Sequence, residues 1–243
     1  MRSGGIWLIL MLFCAVINLA AWQREAADAS GELLITEEKK YIALTFDDGP
    51  HPVVTPYLLD GLKARGARAT FFVVGIMAEE NRDIVVRMQR EGHQVGNHTY
   101  EHTDLSESSA DEAIASIKKN NELLYGILDE GCYWVRPPWG YITEEVKRAI
   151  GVPMVYWSVD TEDWLKLDAE EVLDAALQAD DGDIVLMHDI YPTTVEAALD
   201  FVDIMQSRGY EFVTVEELLQ INGVDIAGGM LYRKGDGSTA WPG

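Results

Sequence analysis

The residues best suited to chemistry in this chain fall in a few short clusters. His98 and His102 stand four apart in His98-Thr99-Tyr100-Glu101-His102. On a helical turn, two imidazoles at that spacing share a face and can chelate one ion. Thr99 sits where an HExxH metalloprotease carries its glutamate, so this is not that arrangement. Alone, the pair reads more readily as ordinary surface or capping histidines. Asp48, in Thr45-Phe46-Asp47-Asp48-Gly49-Pro50, adds a carboxylate. Two histidines and one carboxylate form a common zinc set that leaves a coordination position open for water. Successive strand side chains point to opposite faces, so Asp47 and Asp48 cannot easily both ligate from a strand. At a turn, one can bind an ion while the other faces the water. The plainer reading of the same residues is an Asp-Gly-Pro turn with capping aspartates.

Three more clusters follow. In Arg136-Pro137-Pro138-Trp139-Gly140-Tyr141, two prolines remove two backbone donors and leave the Trp139 N–H free to point into a pocket. Arg136 can pair with a carboxylate and keep it ionised. Asp160-Thr161-Glu162-Asp163-Trp164 adds acids beside an aromatic ring, and Leu186-Met187-His188-Asp189 ends an apolar run in an imidazole. That is a poor place for an unpartnered histidine. An aspartate hydrogen-bonded to His188 would raise its pKa and let it donate a proton near neutrality. His51 and His93 read as structural, and Tyr57, Leu58 and Leu62 as the core face of a helix.

These clusters need elements to position them. Short apolar runs at Ile42–Phe46, Thr70–Val74, Gln94–Asn97, Cys132–Val135, Met154–Ser158, Ile184–His188 and Glu211–Thr214 predict strands. Between them lie segments of helical period. Thr55-Pro56 opens one and Gly66 closes it. Ser109–Glu112 and Asp168–Glu171 have capping-box spacing, and Val195, Leu199, Val202 and Met205 form a stripe ended by Gly209. Alternating strands and helices predict an α/β fold with a parallel sheet, closed as a barrel or open and doubly wound. The polar clusters fall just after strand candidates, and in parallel α/β architectures the carboxyl ends of the strands open onto one face. Separate segments therefore converge on one place.

The chain has 243 residues, which suits one large domain, and no repeat or interdomain linker stands out. With 41 acidic and 19 basic residues its net charge is −22, which argues against nucleic acid and anionic lipid as partners. No protein partner is implied. Cys14 and Cys132 lie too far apart in context to pair, and Cys132, beside Tyr133-Trp134-Val135, reads as a buried small hydrophobe. Arg2 precedes an uncharged run from Ile6 to Trp22, the pattern of a signal peptide or short signal anchor, with a small-residue cleavage site at Ala27-Asp28-Ala29. The expected organisation is an export segment over 1–29, a linker over 30–39, a domain over 40–223 and a glycine-rich surface tail over 224–243. The protein is expected to be secreted, or anchored on the outer face of the cytoplasmic membrane.

Taken together, Thr45–Pro50 (TFDDGP), His98–His102 (HTYEH), Arg136–Gly140 (RPPWG), Asp160–Trp164 (DTEDW), Leu186–His188 (LMH) and Ala69–Gly75 (ATFFVVG) make the chain resemble the NodB-homology polysaccharide deacetylases, carbohydrate esterase family four. The resemblance runs from about Lys40 to Gly223. It implies a distorted (β/α) barrel of seven or eight strands and one divalent ion, zinc or cobalt, on Asp48, His98 and His102. It implies Asp47 as base beside Arg136, His188 as acid beside Asp163, and the Trp139 N–H as an oxyanion donor. Trp164 and Leu186 would line the acetyl pocket, and Trp139 and Tyr141 the groove. Trp139 stands where the family more often has tyrosine, which changes the groove wall. The implied reaction is hydrolysis of N-acetyl groups on a polysaccharide or oligosaccharide containing N-acetylglucosamine, peptidoglycan first and chitin oligomers second. O-deacetylation of acetylxylan is the alternative within the class, and a non-catalytic glycan-binding relative the alternative outside it.

Overall fold

The computed structural model describes residues 39–129 and 131–239. The apolar run Ile6–Trp22 and the Ala27–Ala29 site lie outside them. Among the described residues, no helix is long and apolar enough to cross a membrane.

Among the described residues, eight parallel strands are interleaved with helices. The strands are β1 (Lys40–Asp47), β2 (Thr70–Val73), β3 (Gln94–Asn97), β4 (Met154–Val155), β5 (Val159–Asp160), β6 (Ile184–His188), β7 (Tyr210–Val213) and β8 (Leu231–Tyr232). The helices are α1 (Val54–Ala64), α2 (Gly75–Glu80), α3 (Arg82–Arg90), α4 (Ala110–Leu128), α5 (Glu144–Ala149), α6 (Asp163–Lys166), α7 (Ala169–Ala176), α8 (Pro192–Ser207) and α9 (Val215–Ile221). The main sheet runs β3-β2-β1-β6-β5, and β7 pairs with the first half of β1. β4 and β8 form a second pair, linked to β3 through Val135, which bridges both Asn97 and Met154. The result is a distorted (β/α) barrel.

Strand alternation sorts β1 into two faces. Ile42, Leu44 and Phe46 pack outward with Leu58, Val195 and Val202 of the helices, while Ala43 joins Phe72, Trp134, Val155 and Ile184 in a second core cluster. Thr45 and Asp47 share the inner face with Ala43, so Asp47 enters the barrel mouth as the last residue of its strand. In register, Asp47 lies beside His188 on one edge of β1 and beside Phe72 on the other.

Several expectations need correcting. Cys132–Val135 is not a strand, because only Val135 makes ladder contacts. Pro137 and Pro138 have no N–H with which to continue the ladder. Cys132 precedes the buried part of this segment and is exposed. The run Met154–Ser158 breaks after Val155. The segment after Ile221 is not a surface tail: Leu231 and Tyr232 are buried, and β8 pairs with β4. Leu231 and Tyr232 dock it among the glycines, with Val224 and Ile226 packed against the same core as Tyr232. Thr55 does not cap α1. His51 does, its Nδ1 accepting from the Val53 and Val54 N–H groups. The box at Ser109–Glu112 forms as read, and Asp168 accepts from the Glu170 and Glu171 N–H groups.

Candidate active site

The turn after β1 starts the site. Asp48 leaves the strand with φ of 73°, a left-handed conformation that turns its carboxylate away from Asp47 and over the barrel mouth. Asp47 stays inside, where its Oδ1 accepts from Arg136 Nη1 at 2.8 Å. Arg136 is fully buried and also donates to Thr45 Oγ1 and to the Tyr156 carbonyl, with its guanidinium 4.3 Å above the Phe72 ring. Gly96 makes room for that ring, since a Cβ there would lie 2.4 Å from it. Burial drives the Asp47 carboxyl above its ordinary range, and Arg136 pulls the other way without cancelling it.

His98 and His102 do not lie on a helical turn as the spacing suggested. Thr99 and His102 both have positive φ, at 65° and 55°. Two local bonds favour this loop over helix: Thr99 N–H to Asn97 Oδ1 at 2.7 Å, and Thr103 N–H to Thr99 Oγ1 at 2.8 Å. Helix α2 then anchors the loop, with Gly75 and Ile76 N–H donating to the Thr99 and Tyr100 carbonyls. Asn120, reaching in from α4, donates to Thr99 O as well. The two imidazoles still meet, with ring centroids 5.0 Å apart.

Asp48, His98 and His102 each offer a ligand atom within 4.8 Å of the others. Asp48 Oδ1 lies 3.2 Å from His102 Nε2 and 3.5 Å from His98 Nε2. His98 Nδ1 lies 2.7 Å from the Arg136 carbonyl, which can only accept, so that nitrogen carries the proton. Burial holds the His98 imidazole down to about 3, so the ring is neutral and its Nε2 presents a lone pair. Asp48 Oδ1 is itself buried and takes no hydrogen bond from the described residues. An unbonded carboxylate oxygen facing the His98 lone pair, with the His102 ring beside both, fits a divalent cation.

On the other side, His188 ends β6. Asp163, buried at the start of α6, takes the His188 Nδ1 at 2.8 Å on one oxygen, and the His188 N–H and Thr194 hydroxyl on the other. Burial works against a charged ring, but the Asp163 hydrogen bond and charge outweigh it, helped by Asp47 and Asp48. They lift His188 to about 9. Its Nε2 faces Asp48 Oδ2 at 4.0 Å.

The cleft between these groups has a volume of about 550 Å³. Asp47, Asp48, His98, His102, Trp139, Tyr141, Trp164, Leu186 and His188 all line it. Arg136 and Asp163 lie behind it, holding Asp47 and His188. All eleven residues singled out in the sequence thus come to one place. Pro138–Gly140 form a 3-10 turn in which the Gly140 and Tyr141 N–H groups return to Pro137 and Pro138. The Arg136 carbonyl, just before this turn, accepts from His98 Nδ1. The Trp139 ring, half exposed, stands edge-on to His102 at 4.2 Å. Tyr156, Trp157 and Tyr191 also line the cleft, and sequence reasoning missed them. Tyr156 and Trp157 stack on each other at 4.0 Å. The only hint in the sequence was two adjacent aromatics just before Asp160, which read as strand core.

The model of the polysaccharide deacetylase family matches residues 35–154. A peptidoglycan-N-acetylglucosamine deacetylase of Bacillus cereus is 36% identical over 195 residues, which cover 76% of this chain and 91% of the relative. The chain belongs to the polysaccharide deacetylase family. Peptidoglycan-N-acetylglucosamine deacetylase PgdA of Listeria monocytogenes is 44% identical over 183 residues, but there the match covers 74% of this chain and 39% of the relative. This chain thus spans about two fifths of the length of that protein. Among solved structures, a family 4 acetyl xylan esterase from Clostridium thermocellum in complex with a cobalt ion has a TM-score of 0.76 and 32% identity, over 80% of this chain and 98% of that one. It shares the barrel.

Proposed function

We propose that this polysaccharide deacetylase hydrolyses N-acetyl groups of a polysaccharide containing N-acetylglucosamine, with peptidoglycan the first substrate and chitin oligomers the second, and releases acetate. One observation carries the reading. Asp47 and His188 stand in register on adjacent strands, one a buried carboxylate and the other a protonated imidazole, flanking the Asp48–His98–His102 donor set. A divalent ion held by those three residues, zinc or cobalt, would supply Lewis acidity toward water and the acetyl carbonyl.

The chain's own residues do the rest. Asp47 accepts the proton of the attacking water, and its raised affinity for protons suits it to that task. Arg136 fixes the other side of that carboxylate, so Asp47 Oδ2 is the oxygen that turns toward the donor set, 3.6 Å from His98 Nε2. The Trp139 N–H would donate to oxygen charge developing on the carbonyl. His188 gives its Nε2 proton to the departing amine, and Asp163 steadies the ring throughout. Leu186 and Trp164 offer apolar surface to the acetyl methyl.

O-deacetylation is the second reading, supported by the likeness to the acetyl xylan esterase. The strongly basic His188 favours the amide, because an amine leaves only when protonated, whereas an alkoxide needs less help. Acetate release from peptidoglycan, chitooligosaccharides and acetylxylan, each with and without chelator, decides between them. Chelator-resistant turnover, or release from acetylxylan alone, overturns the reading. The uncharged run after Arg2 supports export as part of the same proposal. Finding the full-length chain in the cytoplasmic fraction of cells refutes that part.

A further inference from the structure

The Asp48 turn is held by a residue outside all five motif clusters. Thr55, buried in the first turn of α1, accepts from the His51 N–H at 2.8 Å and donates its own hydroxyl to Asp189 Oδ2. Asp189 directly follows His188 and is 1% exposed. Its carboxyl group lies flat over Gly49, where a Cβ would come within 2.2 Å of Oδ1. Glycine is therefore required beside Asp48 because the Asp189 carboxyl occupies the space a side chain would need. Few other bonds hold this turn: Val74 N–H to Gly49 O at 3.1 Å, and Asn81 Nδ2 to Pro50 O at 3.4 Å.

The route His51–Thr55–Asp189 thus ties the turn bearing one donor of the ion site to the strand end bearing the acid. Asp48 sits at positive φ, so its carboxylate direction depends on what restrains the backbone on its far side. Groups that orient ligands from behind a metal govern affinity without touching the ion. Nothing in the proton transfers described above needs Asp189 or Thr55.

We infer that Asp189 and Thr55 are positioning residues that together aim Asp48 at the ion and set its distance from His188. The inference rests on the metal reading given above.

The test is zinc affinity of the purified protein, measured by competition with a chromogenic chelator, alongside Tm and the separate values of kcat and KM. Thr55→Val removes only the hydroxyl, Thr55→Ser restores it, and Asp189→Ala removes the carboxyl. Thr55→Val and Asp189→Ala should each weaken zinc binding roughly tenfold or more. The kcat should fall in parallel and KM stay put, with Thr55→Ser close to the parent. Because the two act as one unit, the double variant should bind zinc no worse than the weaker single variant. Unchanged zinc affinity in Thr55→Val, or losses that simply multiply in the double variant, overturns the inference while leaving the metal reading intact. A parent protein that binds no zinc overturns both. Should Asp189→Ala fail to fold, the Thr55→Val and Thr55→Ser comparison decides alone.

Discussion

Two ion pairs flank the cleft, and they are built in opposite senses. At Asp47–Arg136 the carboxylate faces the chemistry and the cation is its support. At His188–Asp163 the cation faces the chemistry and the carboxylate is the support. Both working groups have their proton affinity raised, for different reasons. At Asp47 burial wins, because Arg136 divides its donors among Thr45, Tyr156 and the carboxylate. At His188 the partner wins, because Asp163 spends both oxygens on that residue and is pinned by Thr194. One fold can therefore make a stronger base and a persistent acid from pairs 89 and 25 residues apart in sequence, by changing only how fully each partner is committed.

The comparison can be broken most severely at the base. Asp47→Asn keeps the shape but cannot take a proton, so acetate release should fall about 10⁴-fold while zinc content by elemental analysis stays at the parent level. Near-parent turnover would remove Asp47 as the base. His188→Ala comes next, with a loss of roughly 10²-fold in kcat, again with zinc retained. Loss of zinc there would make His188 a ligand.

Asp163→Asn should sharpen the contrast without abolishing activity. With Asp163 raising His188, the alkaline limb of the kcat/KM profile should lie above the ordinary histidine value in the parent. It should move down toward 6.5, the ordinary histidine value, in the variant. A limb that stays in place would mean Asp163 does not set the acid. The same shift has a sign in stability. A group whose folded pKa is raised above its unfolded value stabilises fully below the unfolded value. In metal-free protein the His188 contribution is therefore complete below 6.5 and fades as pH rises through 9, and a Tm series over that window should show it. The smallest effect is expected at the rim. Trp139→Ala removes the ring edge-on to His102 and should raise KM a few-fold, about 0.5–1.5 kcal/mol, with kcat nearly unchanged.

Much of the site was legible in the sequence because its residues violate what strand ends ordinarily carry. An imidazole ending Ile184–His188, or paired acids ending β1, has no packing explanation. A parallel α/β fold was legible from the alternation of short apolar runs and capped helices, while the closed barrel came only with the family resemblance. What was hidden belongs to backbone that spacing does not encode. The His98–His102 segment has helical spacing, yet Asn97 and Thr99 side chains capture its N–H groups, and the loop wins. Thr55 resembled a helix cap because that is the usual use of threonine before proline, whereas its hydroxyl is committed across the barrel mouth to Asp189. Tyr156, Trp157 and Tyr191 look like core aromatics until the face they share is known. Leu231 and Tyr232 were too few to register as a strand among glycines.

Strand β1 is clamped along both edges, by β6 on one side and by β7 then β2 on the other. Its backbone amides near Thr45–Asp47 should be among the slowest in the molecule to exchange with deuterium. The proton-handling pair of Asp47 and His188 thus stands on a floor whose rigidity does not depend on the loops around the mouth.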